Sequence, residues 1–171
     1  MNYKRLFLEN SLIFITIVTN NRFPFLIENI NLLKNSFLQV LKIYKFKLIA
    51  YSVQPDHIHC IIKPKQISDY PNIIKSFKYS FTRNVGLVKP TYKNLNIKIW
   101  QNRYWEHTIK NNNDLTIHLN YIHYNAVKHN LTKNVKDWEY SSFQKFVKRG
   151  LYEINWGSNT DIANIINLNF E

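Results

Sequence analysis

Hydrophobic and polar positions along the chain change their spacing several times, and each change marks an element. Residues 12 to 19, LIFITIVT, are β-branched and aromatic without helical punctuation, which predicts a central strand. Between Ile27 and Tyr44 the apolar positions Ile30, Leu33, Phe37, Val40, Leu41 and Tyr44 recur every three or four residues, as one face of an amphipathic helix does. Two apolar runs, FKLIAYSV at 46–53 and IHCIIK at 58–63, are separated by Gln54-Pro55-Asp56; Pro with Asp is turn chemistry, so the runs should pair antiparallel. Ser68, Asp69 and Pro71 read as the start of a second helix, with Ile74, Phe77 and Phe81 buried, Lys75, Lys78 and Arg83 facing away, and Gly86 and Pro90 marking the exit and a loop. The segment 99–109, IWQNRYWEHTI, alternates as a fourth strand, and Asp114 to His129 predicts a third helix capped by Asn113 or Asp114.

Strand, helix, strand, strand, helix, strand, helix is an α+β order: a ferredoxin-like split βαβ arrangement with a central antiparallel sheet, plus an additional helix. At 171 residues the chain fits one domain, 1–171, with 137–171 as an aromatic and basic C-terminal extension lacking clear periodicity. There is no internal repeat, low-complexity linker or Gly-rich phosphate loop.

Charge narrows the partners. The chain carries 23 Lys and Arg against 11 Asp and Glu, a net +12 and a pI near 9.7, which favours a polyanion, nucleic acid before acidic membrane. The single cysteine, Cys60, sits in an apolar run and cannot form an internal disulfide, consistent with a reducing cytoplasm. Glu9 and Asn10 interrupt the N-terminal apolar run, and Leu12 to Val18 is too short to span a bilayer, so neither export nor membrane insertion is expected.

Candidate chemistry lies in two segments. In a strand His57, His59 and Ile61 point one way and Ile58, Cys60 and Ile62 the other, so two imidazoles converge on one side. A half-buried pair serving packing or hydrogen bonds remains the alternative reading at this point. On the third helix Leu115, Leu119, Ile122 and Ala126 cluster in one arc, predicted to face the core, while Tyr121 and Asn125, four apart, fall on the flank with the phenol free to react. A phenol, two imidazoles and an amide oxygen would meet if that helix packs across the strand.

The segments VQPDHIHCII, WQNRYWEHTIKNNNDL, YIHYNAVKHNL and DWEYSSFQKFVKRGLY, in this order, resemble the REP-associated tyrosine transposases, a branch of the single-tyrosine HUH (IS200-like) transposases. The similarity covers roughly residues 3 to 157. The resemblance implies that His57 and His59 are the HUH pair, that Tyr121 is the nucleophile on the added helix, and that Asn125 completes a site for Mg²⁺ or Mn²⁺, with Zn²⁺ also acceptable to two imidazoles. One departure is Asn125-Ala126-Val127-Lys128, where the family usually has Asn-Pro-Val-Lys; losing Pro removes a helix-ending constraint.

The implied activity is metal-dependent cleavage and rejoining of single-stranded DNA at or near a hairpin of the repetitive extragenic palindrome (REP) type, through a 5′-phosphotyrosine. The alternatives are a hairpin-binding protein of the same fold without chemistry and a metal-dependent RNA-processing enzyme. Phenol has a reference pKa near 10 and needs help to attack; His118, one turn before Tyr121, is a candidate helper or else an exposed helix histidine. Glu106 and His107 match a family motif or form a strand-edge hydrogen-bonding pair. Phosphate contacts are expected from Lys75, Lys78, Arg83, Arg103, Lys110, Lys128, Lys145, Lys148 and Arg149, and base stacking from Tyr104, Trp105, Trp138, Tyr140, Phe143 and Tyr152. The expected assembly is a monomer or homodimer in a bacterial cytoplasm, on the nucleoid when bound to DNA.

Overall fold

The computed structural model describes residues 8–94, 97–158, 165 and 167–170. The expectations for residues 3–7 and for the end of the C-terminal extension at 159–164, 166 and 171 lie outside the described residues. Four strands, β1 (Ile13–Val18), β2 (Phe46–Val53), β3 (His57–Pro64) and β4 (Trp105–Thr108), form one sheet in the order β2-β3-β1-β4 with every neighbouring pair antiparallel. The helices are α1 (Ile30–Ile43), α2 (Tyr70–Val88), α3 (Pro90–Asn94), α4 (Asn112–Lys128) and α5 (Phe143–Lys148). This is the split βαβ arrangement with an added helix that the hydrophobic pattern predicts.

The sheet separates two packing surfaces because strand side chains alternate. Ile13, Ile15 and Ile17 of β1 and Ile58, Cys60 and Ile62 of β3 meet Leu33 and Val40 of α1 and Ile73, Ile74, Phe77 and Phe81 of α2 in an apolar core. Phe14 and Ile61, one position along, face the other way and pack with Tyr121 and Ile122 of α4 and Phe146 of α5. The Cys60 thiol is buried on the first side, and burial pushes its pKa up to about 12, so it stays protonated. Among the described residues no helix is long and apolar enough to cross a membrane.

Several predicted boundaries move. Gly86 does not end α2, which runs on to Val88 with Val85 fully buried, and Pro90 opens α3 rather than a loop. Pro at the first helical position gives up an amide that no intrahelical bond uses. The predicted fourth strand shrinks to Trp105–Thr108; Trp100 makes only an isolated bridge to Thr19, and the bend between is held by the Lys78 ammonium on the Gln101 and Asn102 carbonyls, at 2.6 and 3.3 Å. α4 begins earlier than expected, with Asn111 rather than Asn113 or Asp114 as cap, its side chain accepting from the Asp114 amide at 2.9 Å.

Candidate active site

Antiparallel pairing places Val18 opposite His57, Thr16 opposite His59 and Phe14 opposite Ile61, while β4 sets Trp105 and His107 opposite Thr16 and Phe14. All of these project toward α4 by the period-two rule. α4 crosses this face of the sheet and buries His118, Tyr121, Ile122 and Asn125 against it. Here the sequence reading needs correction. Tyr121 and Asn125 are fully buried, whereas Leu115 and Leu119 are only partly so. Ile122 and Ala126 of the predicted core arc are fully buried as expected, and the buried face widens to take in Tyr121 and Asn125, whose polar groups the opposing strands complement.

The distances are short. The His57 and His59 rings lie 4.8 Å apart, and the His59 and Tyr121 rings 5.0 Å apart. The His57 Nε2 sits 3.0 Å from Asn125 Oδ1, and its Nδ1 lies 2.6 Å from Asp56 Oδ1. Burial works to raise the Asp56 carboxyl, but the bond and charge of His57 and the Arg22 guanidinium outweigh it and hold it below the usual range. An ionised Asp56 accepts the Nδ1–H of His57, which turns Nε2 toward Asn125.

On His59, Nδ1 meets the Thr16 hydroxyl at 2.8 Å, and that hydroxyl donates to the Phe170 carbonyl at 2.7 Å. With its one proton so used, Thr16 accepts from His59 Nδ1–H, and Nε2 carries the lone pair. Both imidazoles are thereby fixed from behind in the tautomer a metal ligand requires. The 3.0 Å between His57 Nε2 and Asn125 Oδ1 also equals the separation of about 3 Å expected for neighbouring ligands about 2.1 Å from a shared small ion. Asn125 Nδ2 is buried without a hydrogen-bond partner. His57, His59 and Asn125 therefore fit a divalent ion.

A second cluster flanks the phenol. The two oxygens of the Asp114 carboxylate accept from His107 Nε2 at 2.8 Å and His118 Nδ1 at 3.0 Å; His118 Nδ1 also reaches the Asp114 carbonyl at 2.8 Å. Burial works to raise the Asp114 carboxyl, but the His107 bond, the Lys110 amide and the nearby imidazoles hold it below the ordinary range. Burial lowers the His118 pKa and prevails over the opposing pull of Asp114, so the ring is neutral near pH 7. His118 Nε2 is buried with no partner, one helical turn from Tyr121. His107, Asp114 and His118 also have metal-ligating atoms within 4.8 Å of one another, but hydrogen bonds account for their closeness. His118 is thus not the exposed helix histidine of the alternative reading, and Glu106 is no part of this cluster: it points to the opposite side of the sheet, accepting from the Tyr70 hydroxyl at 3.0 Å.

The family model of the IS200-like transposases matches residues 8–125, more than half of the chain. This chain belongs to that family. A Haemophilus influenzae protein provisionally named a REP-associated tyrosine transposase is 39% identical over 168 residues, covering 94% of this chain and 96% of the relative. The Escherichia coli REP-associated tyrosine transposase is 36% identical over 164 residues, covering 94% of each. A solved REP-associated tyrosine transposase, bound to a REP hairpin, superposes with a TM-score of 0.82 at 33% identity over 95% of both chains. The molecule is accordingly a tyrosine transposase, and its fold is that of its REP-associated relatives.

The transposase uses its predicted basic residues unevenly. Lys75, Arg83, Arg103, Lys110, Lys145, Lys148 and Arg149 are exposed. Lys78 is half-buried on backbone carbonyls, so it braces a loop and is not available for phosphate as predicted. Lys128 lies over the Tyr121 ring at 4.9 Å and donates to the Leu168 carbonyl. It can do so because Ala126, in place of the usual Pro, lets α4 continue to Lys128.

Among the predicted stacking residues Phe143 is wholly buried, Tyr104 and Tyr140 pack on the apolar core, and the Trp138 and Tyr152 polar atoms bond to Val53 and Asn120. Trp105 is 37% exposed beside the site, with His107 and Phe170 stacked near it. Sequence reasoning missed Thr16, Asp56, Asp114 as a histidine partner, His129, whose ring is 5.0 Å from that of His57, and Phe170. Asp56, next to His57 in the turn, and Asp114, four residues before His118 on the predicted helix, carried local signals.

Proposed function

We propose that the transposase cuts and rejoins single-stranded DNA at or beside a hairpin through a 5′-phosphotyrosine on Tyr121. The observation that carries this is the meeting of the Tyr121 phenol, two back-fixed imidazoles and the Asn125 amide oxygen within one chain. Attack of the Tyr121 oxygen on phosphorus forms one P–O bond as the bond to the 3′-oxygen breaks. The phenolic proton passes to His118 Nε2, held ready by Asp114 on Nδ1, and the departing 3′-oxygen takes a proton from solvent to become a hydroxyl. Lys128, over the phenol ring, stabilises the negative charge that develops on its oxygen. The new phosphoester keeps its energy, so reversal needs no nucleotide cofactor.

His57, His59 and Asn125 would hold Mg²⁺ or Mn²⁺, which when bound supplies polarisation of a non-bridging phosphate oxygen. A hairpin is the fitting partner because the solved relative carries one and this chain is strongly basic. All the groups come from one chain, so a monomer suffices. The test is incubation of labelled hairpin DNA bearing single-stranded flanks with Mn²⁺, followed by denaturing electrophoresis. Wild type should give a denaturant-resistant protein–DNA band, absent in Tyr121→Phe, which still retards the hairpin. Retardation without any band in wild type would mean a binder without chemistry.

A further inference from the structure

The face of the sheet turned away from Tyr121 carries a cavity of about 460 Å³, between the strands and the helix pair α1 and α2. Ile58, Cys60 and Ile62 of β3 line its floor. Edge-to-face contacts of Phe37 with Phe46 at 5.3 Å and with Phe77 at 6.4 Å space α1 from β2 and α2 and leave room beside these rings. The volume falls within the roughly 300–1,000 Å³ of small-molecule sites. Every buried lining side chain is hydrocarbon except the Cys60 thiol, so the interior suits an alkyl chain and offers water little to bond.

Polarity is confined to the mouth. Lys34 of α1, Lys145 of α5 and Glu139 are lining residues exposed to solvent. They meet at β2, an edge strand of the sheet, where the Val53 amide donates to the Tyr140 carbonyl and the Ser142 amide to the Tyr51 carbonyl, each at 2.9 Å. Those bonds pin the segment around Tyr140 to the edge and so fix Glu139 and Lys145 at the opening. The Lys145 ammonium lies 5.7 Å over the Tyr51 ring, and the Glu139 carboxylate accepts from the Tyr140 hydroxyl. Two cations against one engaged carboxylate leave the mouth positive.

We infer that this cavity binds an aliphatic monocarboxylate, its chain inside between the helices and the sheet and its carboxylate at the mouth beside Lys34 and Lys145. A nucleotide would bring polar groups that the hydrocarbon lining cannot satisfy, and a neutral chain would leave both ammonium groups unused. The site lies across the sheet from the phenol and stands apart from the cutting reaction.

Calorimetric titration of octanoate, decanoate and decan-1-ol into wild type, Leu48→Trp and Lys34→Met/Lys145→Met tests this. Two further methylenes should make decanoate bind roughly tenfold more tightly than octanoate. Its charge should place it about three- to tenfold ahead of decanol. Leu48→Trp, which pushes an indole into the cavity from β2, should abolish binding of all three. The double variant, changed only on the surface, should keep its affinity for decanol and lose the advantage of decanoate. No saturable binding of decanoate, equal affinity for octanoate and decanoate, or binding that Leu48→Trp leaves unchanged overturns the cavity as the site. An advantage over decanol that survives in the double variant overturns the placement of the carboxylate. Should Leu48→Trp lose its wild-type circular dichroism, the chain-length ratio and the double variant decide.

Discussion

Lowering the pH from 7 to 5 should loosen the transposase through His123, on the back of α4. Its imidazole is fully buried, with Nε2 3.0 Å from the Ser142 hydroxyl, among the rings of Phe143, Phe146 and Tyr152. Burial pushes its pKa down from 6.5 to about 3. Between those values the unfolded chain binds the proton and the folded chain does not, so stability falls as pH falls. From 6.5 to pH 5 is roughly 1.5 units, or about 2 kcal/mol at 1.36 kcal/mol per unit. Because pH 5 lies well above the folded value, the unfolded value alone sets this loss. It is a substantial share of the roughly 5–15 kcal/mol of an ordinary domain.

Urea unfolding of wild type and His123→Leu at both pH values tests this. Leucine leaves Ser142 satisfied, since its hydroxyl oxygen accepts from the Tyr51 amide at 2.9 Å and lies 3.2 Å from the Tyr51 carbonyl. Wild type should lose about 2 kcal/mol more than the variant between pH 7 and 5. His118, shifted the same way, is present in both proteins and cancels. Parallel pH dependences would refute the argument.

Two further outcomes probe the groups behind the site. Asp56→Ala removes the anion that orients His57 and should weaken Mn²⁺ binding roughly 10- to 100-fold by calorimetry, with Asp56→Asn, which keeps an acceptor, losing less. Asp114→Asn leaves α4 folded by circular dichroism and the backbone contact of His118 in place but removes the negative charge beside its Nδ1, and should slow adduct formation by roughly tenfold or more while hairpin affinity is unchanged.

The fold was legible because its strands and first two helices are consistently amphipathic: Ile13, Ile15 and Ile17 alternate against Phe14 and Thr16, and Leu33 and Val40 lie on the single buried face of α1. β4 was overread because Trp100 and Trp105 alternate correctly on either side of a bend that Lys78 holds from another element. Thr16 and Phe170 were illegible, since the contact joining them spans 154 positions and rests on tertiary placement alone.

α4 shows why hydropathy alone misplaces a reactive face. A helix that serves only as packing buries its apolar arc, and its moment points to the sheet. Here the opposing strands present Thr16, His57 and His59, so an apolar arc laid against them would leave their polar atoms without partners, at a cost of about 1–3 kcal/mol each. Burying His118, Tyr121 and Asn125 beside Ile122 supplies complementary groups, while Leu115 and Leu119, at the edge of the buried face, are only partly covered. The period-two alternation of β1 and β3 thus selects which arc of α4 turns inward, and the apolar side of the same strands, against α1 and α2, provides the burial that holds this polar interface together.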